Sequence, residues 1–526
     1  MRSENLSVAL IGVDGGSWNV LRWLIREGYI PNLKRLVDSG VYGDLKSNIP
    51  PVTGGAWLSL ATGLNPGKTG IIDFFKHVGN WVLEPVSAED YKDRSLWDFC
   101  SLHGLRVAVL DYPTLYPAYP VNGIMVSSWS NKVSTYPPEL VEKLRSVVAG
   151  DYDIFVNYHL EKYNDIELFL EDLSGAVERK LRISEYFMKM KWNLFVDVFS
   201  YTDWLQHRMW HYIDPSYPWY PGNEKASRYK RRFAEFWQIL DEYIGEVIET
   251  YDVVFIVSDH GFGSQWGVFN LGKWVIEHGY AEPIKETIKK KLIKLMLKTI
   301  IRLKLHRIVP QKLRRKAKER GFSLSSPSMI FDVERSRVIV LDYTIPFGAI
   351  HINPKQDNDV EELIERFSKE LSESLKRVKD DLKVTIWRVK DLYHGDKLRY
   401  LPDAVFTINN WSCVIVKDPD KRFIYLDAPY SPRHTGSHRP YGIFLAYGED
   451  IKRGTSIDKI SILDIAPTIL HILKLPIPDI MDGRVLIEIF DPGSNYAKRS
   501  PRYVDNSYYV KLKLAKKMEK LRRKIT

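Results

Sequence analysis

The stretch Val253-Val-Phe-Ile-Val-Ser-Asp259-His260-Gly-Phe-Gly263 decides how this chain folds. Five apolar, mostly β-branched residues in a row predict a strand, and a strand with no polar face is one covered on both sides. The run ends in adjacent Asp and His before a glycine turn. Along a strand, neighbouring side chains point to opposite faces, but at a strand end the turn lets both converge. The bland reading is an aspartate capping the turn beside a half-exposed histidine. Burying both groups instead needs a metal or a charged partner.

Outward from this segment the chain repeats the pattern. Val8–Val13, Val107–Leu110, Leu194–Phe199, Arg337–Val340 and Gly442–Ala446 also read as strands. Between them lie helical periodicities over Val20–Asp38, Pro138–Val148, Asp165–Lys189, Lys225–Glu249 and Ile462–Leu473. Such alternation predicts an α/β fold with a mainly parallel sheet and helices on both faces. Ligands of open α/β sheets bind beyond the carboxyl ends of the strands, so acids and hydroxyls at those ends are the candidates for chemistry.

Four more segments supply them. Ile11-Gly-Val-Asp14-Gly-Gly closes the first strand with an acid, which as a bare feature is also a common turn aspartate. Ile49-Pro-Pro-Val-Thr53-Gly-Gly-Ala-Trp57 places Thr53 just before a predicted helix. The amides there can hold a phosphate for a hydroxyl to attack, although threonine N-caps are commoner than threonine nucleophiles. In Phe199-Ser-Tyr-Thr-Asp203-Trp-Leu-Gln-His207, Asp and His at i and i+4 share a helix face and can bind one ion or form a simple surface pair. His211 continues the series as a supporting group. Finally, Arg433-His-Thr-Gly-Ser-His438-Arg439 sets a histidine in a loop before a strong strand.

Composition narrows the field. The 526 residues are 44% hydrophobic and 27% charged, an ordinary globular balance. Two cysteines, Cys100 and Cys413, exclude a disulfide framework and a thiolate zinc site. The start of the chain lacks a secretory pattern and no run reaches the ~20 apolar residues of a membrane span, so a cytoplasmic protein is expected. The net charge of +10 is concentrated in two places. Residues 285–320 hold 15 Lys and Arg against 2 acids, and residues 498–524 hold 11 against 2, leaving the rest of the chain acidic. Leucines and isoleucines interleave with the first cluster, so a basic amphipathic segment at 285–320 is a candidate for peripheral docking on an anionic membrane, with a solvated flap as the alternative. No nucleic-acid module is recognised.

Taken together and in order, these segments resemble the alkaline phosphatase superfamily, above all its type I phosphodiesterase/nucleotide pyrophosphatase family. The likeness runs from Val8 to Leu486, ending in Asp464-Ile-Ala-Pro-Thr-Ile-Leu-His and Met481-Asp-Gly-Arg-Val-Leu486. It implies a catalytic domain over 5–490, with an inserted cap near 113–191 and basic amphipathic helices near 280–325, followed by a basic tail over 491–526. It further implies two divalent metal ions, one on Asp203, His207 and His438, the other on Asp14, Asp259 and His260, with Thr53 as nucleophile. Zn²⁺ suits that ligand set, and Mn²⁺, Fe and Mg²⁺ are compatible with it. The implied reaction is hydrolysis of a phosphodiester or nucleotide pyrophosphate through a phospho-threonine; a phosphomonoesterase is the alternative, and an inactive metal-binding protein a remoter one.

The likeness has gaps. Relatives often read Pro-Gly-x-His-Gly-Ile where this chain has Pro66-Gly-Lys68-Thr69-Gly-Ile71, and Ile72-Asp73-Phe74 lacks an asparagine that pyrophosphatases use on phosphate. Lys68, Asp73, Arg433 and Arg439 are the candidates for substrate contacts. A sulfatase frame is absent, since Val52-Thr53-Gly54-Gly55 has no Cys/Ser-x-Pro-x-Arg.

Overall fold

A computed structural model describes residues 6–129, 132–283, 331–344 and 346–525. The basic segment expected near 280–325 falls almost wholly outside them. A nine-stranded sheet forms the centre, in the order 455–461, 41–46, 441–448, 253–257, 8–13, 194–199, 107–110, 123–127, 134–136. The five strands from 253–257 to 123–127 run parallel. Tyr441–Gly448 enters antiparallel to both of its neighbours.

Strand alternation builds two cores. Ala9, Ile11 and Val13 face one side, with the helices Trp18–Arg26, Pro31–Ser39, Ile166–Met188 and Asn223–Thr250. Val8 and Leu10 face the other, with Thr53–Thr62, Leu96–Leu102 and Ile465–Ile472. Helices on both faces leave the central strands no solvated side, which is why they are apolar throughout.

Two expectations need revision. The periodicity over Val20–Asp38 is two helices, because Gly28 takes φ +79° and Pro31 opens the second. Second, most of 113–191 is body rather than cap. Residues 123–127 and 134–136 are strands of the main sheet, and the helices Leu140–Val148 and Ile166–Met188 pack into the first core. A further lobe follows: a four-stranded antiparallel sheet (338–339, 348–352, 404–408, 384–388) covered by the helix Val360–Val378. The expected strand Arg337–Val340 belongs to it, shortened to Val338–Ile339. Among the described residues no helix is long and apolar enough to cross a membrane.

The helix Pro31–Ser39 has no cap of its own, since Ile30 stands at the N-cap. Asp241, from a helix two hundred residues later, accepts instead from Asn32 N at 3.0 Å and Leu33 N at 2.7 Å. Asp241→Ala strips both amides of their acceptor. It is expected to cost about 1–2 kcal/mol, seen as a lower urea midpoint with unchanged slope. An unchanged midpoint would show that the cap contributes nothing.

Candidate active site

Every candidate leaves the sheet at one edge. Asp14 follows Val13, Asp259 lies two residues past Val257, and Asp203 sits in the helix Tyr201–Ile213 that begins after Phe199. Because Tyr441–Gly448 runs the opposite way, the loop before it, with His438, reaches the same edge. Pairing of 261–264 with 436–439, Phe262 opposite His438, fixes that loop.

The side chains converge tightly. Thr53 Oγ1 lies 3.1 Å from His260 Nε2, which is 3.2 Å from Asp259 Oδ2 and 3.6 Å from Asp14 Oδ1. On the other side, Asp203 Oδ1 is 3.2 Å from His438 Nε2 and 3.4 Å from His207 Nε2. The His260 and His438 rings stack at 3.7 Å and join the halves. Two groups able to hold an ion result, Asp14–Asp259–His260 and Asp203–His260–His438, with His207 beside the second. All are buried.

Three observations fit cations here. Among the described residues no Lys or Arg pairs with Asp14, Asp203 or Asp259, and each keeps a buried carboxylate oxygen without a hydrogen-bond partner. Each histidine turns Nδ1 to a backbone carbonyl: His207 to Gly436 at 2.8 Å, His438 to Pro51 at 2.9 Å, His260 to Gly261 at 3.1 Å. With the proton donated there, every Nε2 lone pair faces inward, the arrangement of metal-binding histidines. His207 and His438 then oppose their Nε2 atoms at 3.0 Å, a contact that a cation relieves.

The local electrostatics carry the same signature. Burial, then the charges of Asp259 and Asp203, pushes Asp14 well above the usual carboxylate range. Burial lifts Asp259 to about 7. Burial and His438 hold His260 well below the ordinary imidazole value. Asp203 departs from this pattern: burial pushes it up, but His207 and His438, where they carry a proton toward it, outweigh burial and hold it low.

Thr53 opens the helix Thr53–Thr62, and Val52 at its N-cap offers no side-chain bond. The amides of the first turn therefore lack a helical acceptor. The two glycines that follow are there for space. A Cβ on Gly54 would lie 2.8 Å from Asp73 O, and one on Gly55 2.7 Å from the Ile72 carbonyl carbon.

The four substrate-contact candidates divide. Lys68 is taken by Asp482 at 2.7 Å and Ile480 O at 2.7 Å. Asp73 accepts from Thr344 and Phe74. Arg439 donates to the carbonyls of Trp411, Ser437, His438 and Ser264, and burial pulls it down to about 10. Arg433 bonds Asn164 and has no acidic partner among the described residues. His211 lies one turn beyond His207 and meets Thr435 Oγ1 at 3.0 Å, outside the cluster.

Some neighbours went unread in the sequence. His434 is buried, keeps both ring nitrogens unpartnered, and stacks 4.4 Å from His207; its signal lay in the same motif as His438. Tyr158, the part of 113–191 that does reach the site, covers His207 at 5.1 Å. Nearby, buried Lys180 pairs with Asp111 at 2.8 Å and with Asp197, and Tyr152 and Tyr243 donate to the two carboxylates.

Arg439→Ala removes the donor that four carbonyls share beside the His438 loop. A loss of about 2–4 kcal/mol in urea unfolding is expected. A variant as stable as the parent would mean that water replaces the guanidinium at no cost.

The type I phosphodiesterase / nucleotide pyrophosphatase family model matches residues 8–438. No curated protein sequence matches the chain. Among solved structures, human ectonucleotide pyrophosphatase/phosphodiesterase 5 is 14% identical, with 89% of this chain and 95% of that one covered and a TM-score of 0.44. Its murine counterpart is 12% identical over 92% and 100%, with a TM-score of 0.48. Phosphonoacetate hydrolase from Sinorhizobium meliloti 1021, in complex with phosphonoformate, is 13% identical over 88% and 94%, with a TM-score of 0.51, a likeness of fold. The chain belongs to the type I phosphodiesterase / nucleotide pyrophosphatase family, phosphoester hydrolases of the alkaline phosphatase superfamily.

Proposed function

We propose that the protein hydrolyses phosphodiesters or nucleotide-type pyrophosphates with Thr53 as nucleophile and two divalent ions, Zn²⁺ best suited, as cofactors. The observation that carries this reading is the place of Thr53 Oγ1: on the free end of a helix and 3.1 Å from His260, within the buried carboxylate cluster. Asp203, His207 and His438 would hold one ion, and Asp14, Asp259 and His260 the other. Bound dications supply positive charge that neutralises the carboxylates and lowers the pKa of the threonine hydroxyl.

The residues then do the following. Amides of the Thr53–Thr62 helix receive the phosphoryl oxygens. Thr53 Oγ1 bonds to phosphorus as the bond from phosphorus to the leaving oxygen breaks, and the proton lost from Oγ1 ends on that leaving oxygen. Water next attacks the phospho-threonine, restores the Thr53 hydroxyl and releases the phosphate product. Each cycle consumes one water. Arg433, at the rim, is the remaining candidate for a contact to the substrate anion. A phosphomonoesterase is the second reading, favoured by Ile72-Asp73-Phe74, where no asparagine is present to receive a diester.

The test is turnover of bis-p-nitrophenyl phosphate against p-nitrophenyl phosphate, after chelation and return of Zn²⁺ or Mn²⁺. Faster diester cleavage, lost by at least about a hundredfold in Thr53→Ala, is expected. A monoester preference moves the assignment to the second reading. Full activity in Thr53→Ala would remove threonine from the chemistry.

A further inference from the structure

The helix Asn506–Ile525 is seated on the body by one face. Tyr509 is buried, its ring centroid 4.6 Å from that of Phe99, and its hydroxyl donates to Pro476 O at 2.5 Å. Tyr508 stacks on His103, and Lys513 pairs with Asp93 at 2.9 Å. At ~100° per residue, Val510, Leu514 and Met518 form a stripe roughly opposite this seat. They are 50%, 57% and 56% exposed. Lys511 and Lys517, both exposed, stand on either side of it. Residues 506–525 hold eight Lys and Arg against the single acid Glu519.

Seating the helix requires only its inner face. Three large apolar side chains on the outer face, each half or more exposed, leave an apolar strip in water, which marks an interaction surface. We propose that this helix docks the protein on an anionic lipid surface, with Val510, Leu514 and Met518 entering the boundary between headgroups and acyl chains and the flanking lysines pairing with lipid phosphates. Charge complementarity selects this occupant. A second copy would bring one strongly basic helix against another. A nucleic acid would match the lysines but has no apolar layer for the stripe. An anionic bilayer offers both, and Tyr509 can keep its place while the outer face binds.

The test uses the full chain with vesicles of phosphatidylcholine alone, or of phosphatidylcholine mixed with phosphatidylglycerol. Co-sedimentation with the anionic vesicles, weakened by salt, is expected. The double variant Leu514→Glu/Met518→Glu should bind at least about tenfold more weakly. Lys511→Ser/Lys517→Ser should also lose about tenfold. All four positions are exposed, so melting temperatures should match the parent and show that folding is intact. The proposal is overturned if the parent ignores anionic vesicles or if the variants bind as well as it does. It is equally overturned if the stripe instead drives a concentration-dependent dimer that Leu514→Glu abolishes.

Discussion

Three carboxylates, Asp14, Asp203 and Asp259, share one buried edge of the sheet with no lysine or arginine to pair with them among the described residues. Much of the surrounding architecture depends on that charge. A buried carboxylate normally costs several kcal/mol unless paired, and here, among the described residues, the partners are uncharged N–H donors, Trp57 Nε1 on Asp14 and Gly15 N on Asp259, and imidazoles whose Nδ1 atoms turn away to carbonyls. The protein holds this unfavourable arrangement through its scaffold: parallel strands, a paired loop at 436–439, and Arg439 tying four carbonyls. Hydrogen bonds and strand pairing in the shell hold the repelling carboxylates of the centre in place.

The contrast with Lys180 is instructive. That lysine is also deeply buried, yet its charge is answered by Asp111 and Asp197, and the tyrosines at 152 and 243 complete the set. Burial lowers Lys180, but the two carboxylates outweigh it and raise it above the ordinary lysine value. The same fold therefore contains one acidic cluster built around a buried lysine and one without any, a few residues apart along the strand Leu194–Phe199 and the helix after it.

Much of this was readable from local sequence. The strands ending at Val13, Phe199 and Val257 are short apolar runs that end in glycine turns or helix starts, and such endings are encoded within a few residues. The motif around Thr53 and the Asp203–His207 spacing are likewise local. What could not be read depends on distant partners. Val20–Asp38 keeps one apolar periodicity across a break because both helices cover the same core. Asp197 interrupts an apolar strand for a lysine on another helix, and Arg439 looks exposed until the carbonyls of Ser264 and Trp411 arrive from elsewhere. His434 was visible but indistinguishable from any loop histidine until its ring met His207.

The strand Tyr441–Gly448 lies in the interior of the sheet, between 253–257 and 41–46, although most of the chain precedes it. A ribosome releases those earlier strands first. At about 5–20 residues per second, the gap left for the late strand stays open for roughly ten to forty seconds after residue 257 is made. Throughout that interval the edge at 253–257 has unpaired amides and carbonyls, and 41–46, whose partners 441–448 and 455–461 both come later, is unpaired on both sides; each is a template for mispairing. His438 arrives with the same strand, so the acidic edge gains one of its histidines only as the sheet is sealed. Biosynthesis thus leaves the charged centre incomplete until the structure around it can hold it.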